Sequence, residues 1–239
     1  SIFSYNKKMV KTRGLKEAKV KLGDLEKIIS NFLKKKKKVK IFESGCGYGK
    51  VMVELKKKFG DKIEIVGMNY LPSHGDKKKV ISFALEEGII TKDEIKKVQS
   101  IKVIFGNAGK KLPFKTGSID LVYSQTSSYL YEDKMHFFEE VARILSKEGI
   151  ARITSPEENN KIPEELRQLL RIYDNGNQIP FDKFIKKFKN IRKIKLPSGQ
   201  KPIEIKSGKL NFGLKLESST NVNHLGKDWF GIISIYSKK

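Results

Sequence analysis

An acidic residue followed by three evenly spaced glycines is the part of this sequence best suited to bind a ligand. Glu43 precedes Gly45, Gly47 and Gly49. Glycines permit unusual backbone dihedrals and let a ligand approach the bare main chain. The dinucleotide pattern G-x-G-x-x-G places its third glycine one residue later, and the phosphate loop has Ser or Thr where this chain has Val51. A carboxylate directed into the turn would repel a pyrophosphate, so the spacing favours a nucleotide-like ligand that carries positive charge.

The glycines must lie between a buried strand and a helix. The apolar run 39–43 predicts the strand, and Val51, Met52, Leu55 and Phe59 recur on one face of a predicted helix. Ligands of open parallel sheets lie outside the carboxyl ends of the strands. The turn is therefore expected at that edge of an α/β sheet.

Four further strands are predicted at 62–68, 101–105, 118–124 and 150–154. A helix is predicted between the last two of these strands, with Gly149 in the position that follows a helix end. Strands that alternate with helices predict a parallel sheet.

The order of these motifs resembles that of the class I S-adenosylmethionine-dependent methyltransferases. The resemblance rests on E-x-G-x-G-x-G, on the strands that follow, and on Leu-Pro-Phe at 112–114 before the fourth strand, and it covers roughly residues 38–155. It implies an α/β fold with a doubly wound seven-stranded sheet, mostly parallel, and with helices on both faces. A C-terminal antiparallel hairpin is expected at 210–217 and 229–236. The implied cofactor is S-adenosyl-L-methionine.

The resemblance also implies which residues contact the cofactor. In the family a carboxylate at the end of the second strand holds the ribose, and here Asn69 offers one carbonyl oxygen without charge. The implied cofactor-binding residues are Glu43, Gly45, Cys46, Gly47, Gly49, Asn69, Tyr70, Asn107, Ala108, Ser124 and Gln125. Tyr48, Tyr129 and Tyr131 are candidates for the acceptor pocket, and no catalytic residue is assigned.

Each of these residues also has an ordinary structural interpretation. Glu43 suits a helix N-terminus, Asn107 suits a turn, and the tyrosines suit packing near the surface. Their order at successive strand ends favours the binding site.

The methyl acceptor remains open among three function classes. Segment 124–129 lacks the Asn/Asp-Pro-Pro-Tyr/Phe motif of methyltransferases that modify base amines, so a small molecule or a protein group is slightly preferred as acceptor. An RNA acceptor is the alternative, because the net charge is +23 and lysines release counterions from phosphates. Only six basic residues are arginine, however, and a lysine excess also arises from compositional bias. A noncatalytic module that binds the cofactor is the third class, suggested by Asn69.

Composition bounds the remaining expectations. We expect residues 1–37 to form an N-terminal arm and helix, and 38–239 to form the methyltransferase domain, with 156–200 as an insertion over the substrate site. That insertion carries helical patterns at 166–173 and 181–188. No apolar run approaches the roughly 18 residues of a membrane span, and the start lacks the order of a secretory signal. One cysteine and scattered histidines predict no metal site. A cytoplasmic protein is expected.

Overall fold

The computed structural model describes residues 13–155, 169–223 and 230–239. Within them the helices are α1 (Leu15–Leu22), α2 (Leu25–Leu33), α3 (Lys50–Phe59), α4 (Lys77–Glu86), α5 (Ile95–Val98), α6 (Lys134–Ile144) and α7 (Phe181–Ile185). The strands are β1 (Val39–Ser44), β2 (Ile63–Asn69), β3 (Lys102–Phe105), β4 (Ile119–Ser124), β5 (Leu145–Ile153), β6 (Leu170–Asp174), β7 (Asn177–Ile179), β8 (Ile191–Lys193), β9 (Ile203–Lys206), β10 (Leu214–Asn223) and β11 (Phe230–Lys238). Short 3-10 turns cover Pro72–His74 and Ser128–Leu130 near the ends of β2 and β4.

Seven strands form one sheet in the order β3-β2-β1-β4-β5-β9-β8. The first five strands in that order pair in parallel, whereas β9 is antiparallel to both β5 and β8. The predicted fold class, a doubly wound and mostly parallel seven-stranded sheet, is confirmed. The strand order reverses between β1 and β4, and ligands of such sheets bind beside a reversal of this kind.

Two hydrophobic cores lie on opposite sides of this sheet. Consecutive residues of a strand point to opposite faces, so Ile41 packs with α1 to α5 while Phe42 packs with α6 and α7. Asp24 caps α2 by accepting from the Lys27 N–H at 2.9 Å. Helices therefore cover both faces, and only the strand ends remain for a ligand.

The predicted C-terminal antiparallel hairpin is present, but it does not close the main sheet. The prediction placed it at 210–217 and 229–236, where β10 and β11 do pair antiparallel, but β8 and β9 close the sheet. The strands β10 and β11 belong instead to a second sheet of order β10-β11-β6-β7. Ile203 and Ile205 of β9 are fully buried, whereas residues 217–221 of β10 are exposed. A central strand needs buried side chains on both faces, and the polar β10 does not supply them.

Two predicted helix positions are also wrong. The pattern at 166–173 predicted a helix, but Leu170–Asp174 is strand β6, which turns through Asn175 and Gly176 into β7; residues 166–168 lie outside the described residues. Both turn residues have positive φ, 47° and 77°, as a two-residue hairpin requires. Helix α6 ends at Ile144 and not at Gly149.

The other helical pattern of the predicted insertion is partly confirmed. It begins as α7 directly after Pro180 and ends at Ile185. In the described ranges no helix is long and apolar enough to cross a membrane. The same residues contain no cluster of three metal-ligating side chains.

Candidate functional site

A cavity of about 250 Å³ lies at the carboxyl ends of β1 to β4, beside the strand reversal. The second sheet forms part of its wall through β10 and β11. The cavity is lined by Gly45, Gly47, Met68, Asn69, Tyr70, His74, Gly106, Asn107, Ala108, Ser127, Leu130, Tyr131, Glu132, Asn221 and Ile232.

The glycine turn that borders this cavity is held by its own hydrogen bonds. Gly45, Gly47 and Gly49 have φ values of 69°, 52° and 67°, which only glycine adopts readily. The N–H groups of Gly45 and Cys46 donate to Met68 O at 2.8 and 3.2 Å, and Gly49 N–H donates to Cys46 O at 2.8 Å. Because these donors are already used, they do not form the anion-binding nest that a pyrophosphate needs.

Asn69 fastens this turn to the loop that follows β2. Its Oδ1 accepts from Gly47 N–H at 2.8 Å, while its Nδ2 donates to Gly47 O at 2.9 Å and to Gly75 O at 2.7 Å. A Cβ on Gly75 would lie 2.4 Å from Gly47 O, so a glycine is required where the two loops meet. The amide protons of Asn69 are thus used inside the protein, and a ligand can approach only its oxygen.

Glu43 lies beneath the turn and does not line the cavity. Its side chain is buried, and Tyr123 Oη donates to Glu43 Oε2 at 2.7 Å. Burial raises the pKa of Glu43 to about 8, although the hydrogen bond from Tyr123 opposes the shift. Burial and the Glu43 carboxyl also raise the pKa of the nearby Cys46 thiol.

Four hydroxyl groups form a cluster between β1 and the turn after β4. The Tyr131 and Ser44 hydroxyl oxygens are 2.6 Å apart, as are those of Ser124 and Ser127. The Ser124 and Ser127 hydroxyl groups both lie within hydrogen-bond distance of Ser44 O, at 3.0 and 3.1 Å. A Cβ on Gly45 would lie 2.4 Å from Ser127 Oγ, so this cluster packs directly against the glycine turn.

The backbone directly after β4 is strained. Thr126 has a φ of 54°, which is an outlier for a β-branched residue and a feature that concentrates at functional sites. Its N–H donates to Thr154 Oγ1 at 2.9 Å, and Arg13 donates to its hydroxyl. The neighbouring Gln125 is buried, and its Nε2 has no hydrogen-bond partner in the described parts of the chain.

The remaining wall on the β2 and β3 side combines polar and aromatic groups. Asn107 lines the cavity, and its Oδ1 accepts from Gly109 N–H at 2.8 Å. This hydrogen bond is typical of a turn, the structural role that the sequence also allowed for Asn107. Ala108 is buried beside it, whereas Tyr70 is 55% exposed. Burial lowers the pKa of His74 and so favours its neutral form.

The structure separates the three tyrosines proposed for the acceptor pocket. Only Tyr131 lines the cavity. Tyr129 packs in a small apolar cluster that includes Leu169, and burial raises its pKa. Tyr48 lies on the far side of the glycine turn, with its ring 5.3 Å from that of Phe83.

The sequence analysis did not identify the cavity residues of the second sheet, or Lys134, which binds that sheet. Asn221 and Ile232 are partners in the β10–β11 register and both line the cavity. Lys134 is fully buried and donates to Tyr131 O at 2.7 Å, Ile232 O at 2.6 Å and Ser234 Oγ at 3.0 Å. Burial lowers the pKa of Lys134 to about 7, against the nearby acids Asp133 and Glu132. Nothing in the local sequence marks a lysine at a helix start as buried.

Comparisons with known proteins indicate the family to which this chain belongs. A family model described as a methyltransferase domain matches residues 35–196. A search of curated protein sequences gives no match.

Solved structures similar to this chain are distant. A proposed S-adenosylmethionine-dependent methyltransferase of Methanococcus maripaludis is 19% identical with a TM-score of 0.46, over 77% of this chain and 85% of that one. A proposed sarcosine dimethylglycine methyltransferase of Galdieria sulphuraria is 23% identical with a TM-score of 0.39, over 54% of this chain and 44% of that one. An arsenic(III) methyltransferase of Chlamydomonas reinhardtii is 21% identical with a TM-score of 0.40, over 48% and 38%. The chain therefore spans less than half of the last two proteins, and likenesses of this extent do not indicate an acceptor.

Proposed function

Because this chain belongs to the class I S-adenosylmethionine-dependent methyltransferases, we propose that the cavity at the ends of β1 to β4 binds S-adenosyl-L-methionine and that the acceptor is a small molecule or a protein group. The used N–H donors of the glycine turn support this ligand over a pyrophosphate.

Two groups of residues would hold the cofactor. Those that line the cavity would contact it directly: Gly45, Gly47, Asn69, Tyr70, Asn107 and Ala108. The remaining candidates would support that wall from behind: Glu43, Cys46, Gly49, Ser124 and Gln125. This division follows from burial and from the hydrogen bonds that hold the turn.

For methyl transfer, the main task of these residues is to align the cofactor with the acceptor. The bound cofactor supplies a methyl group on a sulfonium for in-line displacement, a step that gains most from proximity and orientation. The hydroxyl cluster of Ser44, Ser124, Ser127 and Tyr131 is fixed by its own hydrogen bonds. It offers the acceptor a rigid polar wall next to the glycine turn.

The observation that carries the acceptor preference is the absence of Lys and Arg from the described lining of the cavity. The chain has 50 such residues, so their absence from this wall is notable. An RNA acceptor would bring phosphates near the reacting base, and phosphates are held mainly by Lys and Arg. RNA remains the second candidate because of the net charge of +23.

A pair of glycine substitutions tests cofactor binding. Gly45→Ala places a methyl group against Ser127 at a positive φ, and we expect affinity for S-adenosylhomocysteine to fall at least tenfold in calorimetry. Gly88→Ala is the matched control, because Gly88 has a φ of 67°, close to the 69° of Gly45, and no neighbour within 4 Å of its added Cβ. It shares the positive φ, which costs an alanine about 1 kcal/mol, without the clash. Equal affinities for the two variants would contradict the proposal.

The acceptor class is tested by methyl transfer. Radiolabelled S-adenosylmethionine is incubated with the protein and with separated small-molecule, protein and RNA fractions of a cell extract. We expect label in the small-molecule or protein fraction. Label confined to RNA would replace the preferred acceptor with the second candidate.

A further inference from the structure

The charge of the cavity wall is opposite to that of the whole chain. The chain carries a formal charge of +23, yet Glu132 is the one acidic side chain, and Lys and Arg are absent, among the described residues that line the cavity. His74 is the other titratable side chain that could become cationic, and its burial opposes protonation. Among the described residues, a ligand inside this cavity therefore meets an acidic side chain and no lysine or arginine.

Glu132 differs in its pairing from three buried acids of this protein. Those three are paired with cations: Asp120 with Lys36 at 2.6 Å, Glu140 with Arg143 at 2.6 Å, and Glu204 with both Arg152 and Arg192, whereas the buried Glu43 accepts from Tyr123. Glu132 is exposed, and the described residues include no salt-bridge partner for it. An exposed carboxylate at the cavity wall, with no salt bridge to the described residues, is available to a ligand cation.

The adjacent Lys134 does not supply that cation. Its ammonium has three donors, and these are taken by Tyr131 O, Ile232 O and Ser234 Oγ. Ser234 Oγ in turn donates to Glu132 O at 2.6 Å. The backbone of Glu132 is thus tied to β11, and the Lys134 ammonium acts on the Glu132 carboxylate through charge alone, without a hydrogen bond.

Apolar and amide groups complete this end of the cavity. Leu130 and Ile232 offer apolar surface, and Asn221 stands opposite Ile232 in the register of the second sheet. Apolar neighbours lower the local dielectric constant and strengthen an ion pair. The acceptor end, defined as Leu130, Tyr131, Glu132, Asn221 and Ile232, therefore suits a short carbon skeleton with a positive or neutral amine.

We propose that the acceptor end binds a small compound that carries an amine or ammonium group, with Glu132 as the residue that selects its charge. This inference rests on the proposed function, since it takes the remaining part of the cavity as the cofactor site. It excludes acceptors whose phosphate would have to enter beside Glu132.

Three probes of one shape and different charge test the proposal. The protein is saturated with S-adenosylhomocysteine and titrated calorimetrically, at physiological ionic strength, with 2-phenylethylamine, 2-phenylethanol and 2-phenylethyl phosphate. We expect the amine to bind at least tenfold more tightly than the alcohol, and Glu132→Gln to remove that preference. Affinity of Glu132→Gln for S-adenosylhomocysteine should stay within twofold of the unmodified protein.

The control is Glu86→Gln, which makes the same charge change at an exposed position of α4 away from the cavity. It should leave the amine preference within twofold. Equal affinity for the amine and the alcohol would overturn the inference, as would an equal loss of the amine preference in Glu132→Gln and Glu86→Gln. So would tighter binding of the phosphate than of the amine, if Glu132→Gln left that order unchanged. If S-adenosylhomocysteine itself fails to bind, the proposed function falls and this inference with it; if it binds and the amine is not preferred, only this inference falls.

Discussion

Asn69 makes three hydrogen bonds to two loops, so its replacement tests how the glycine turn is held. Asn69→Asp keeps the acceptor for Gly47 N–H but sets a carboxylate against the carbonyl oxygens of Gly47 and Gly75. Losing two buried hydrogen bonds costs about 3 kcal/mol. We expect urea unfolding to show that loss and cofactor affinity to fall with it. From the sequence alone, Asp at this position would be expected to tighten ribose binding.

Asn107→Asp is the chemically identical control. The Asn107 Oδ1 accepts a hydrogen bond from Gly109 N–H, and an aspartate at this position preserves that bond. The variant should unfold within about 0.5 kcal/mol of the unmodified protein, as ordinary surface substitutions do. Tighter cofactor binding by Asn69→Asp, with unchanged stability, would show that this side chain serves the ribose and not the turn.

Glu43 should make stability depend on pH. Its pKa is about 8 in the folded protein, against an ordinary value of 4.5 for the unfolded chain. Between those values the folded state holds the extra proton, so the stability that Glu43 contributes is fully present below about pH 4.5 and is lost as pH rises towards 8. Glu43→Gln should flatten this slope, which is about 1.4 kcal/mol per pH unit between the two pKa values, in urea unfolding at pH 5, 6.5 and 8. An unchanged slope would show that Glu43 is ionised throughout.

Residue types at strand ends could be predicted from the sequence, but their contacts could not. The positive φ of Gly45, Gly47 and Gly49 follows from the motif itself. The partner of Asn69 at Gly75 depends on how the loop after β2 folds back, and no local pattern encodes that path. The same holds for Glu43, whose burial depends on Tyr123 in the neighbouring strand.

At the scale of elements, Lys134 joins the second sheet to the site. Its bonds reach Tyr131 O in the turn after β4, and Ile232 O in β11. Lys134→Met fills a similar volume but leaves both buried carbonyl oxygens without these donors. We expect amides of β11 to exchange with solvent at least tenfold faster, while those of β1 stay protected.

Lys147→Met is the control for that measurement, because Lys147 is an exposed lysine on β5. It should leave hydrogen exchange unchanged in both strands. If β11 exchanges equally in the two variants, Lys134 does not anchor the sheet.

Local patterns found the parallel strands because each is a short run rich in apolar residues that alternates with helical patterns along the chain. The second sheet has weaker signals. Strand β6 pairs with β11, some sixty residues later, and such long-range pairing leaves no local periodicity. The Asn175-Gly176 turn was the available signal for β6 and β7, and a helical interpretation of the flanking leucines overrode it.

At the scale of the whole molecule, the positive charge is separate from the cavity. Exposed lysines occur on α3 and α4 on one side of the main sheet and on α7 on the other, for example Lys57, Lys78 and Lys183. A charge spread over both layers attracts any polyanion. We expect single-stranded RNA affinity to fall with salt, with a logarithmic slope of about −0.7 per phosphate neutralised. Saturating S-adenosylhomocysteine should leave that affinity unchanged. Marked coupling between RNA and S-adenosylhomocysteine would favour the RNA acceptor.

The hydrogen bonds inside the glycine turn bear on the thermodynamics of binding. The N–H groups of Gly45, Cys46 and Gly49 are already hydrogen-bonded, and Asn69 links the turn to the loop at Gly75. The turn therefore loses little conformational entropy when a ligand binds. Preorganisation of this kind lowers the entropic cost of association. Association should then resemble the docking of two rigid surfaces, with a heat-capacity change set by the buried ligand area alone and without the larger change of coupled folding.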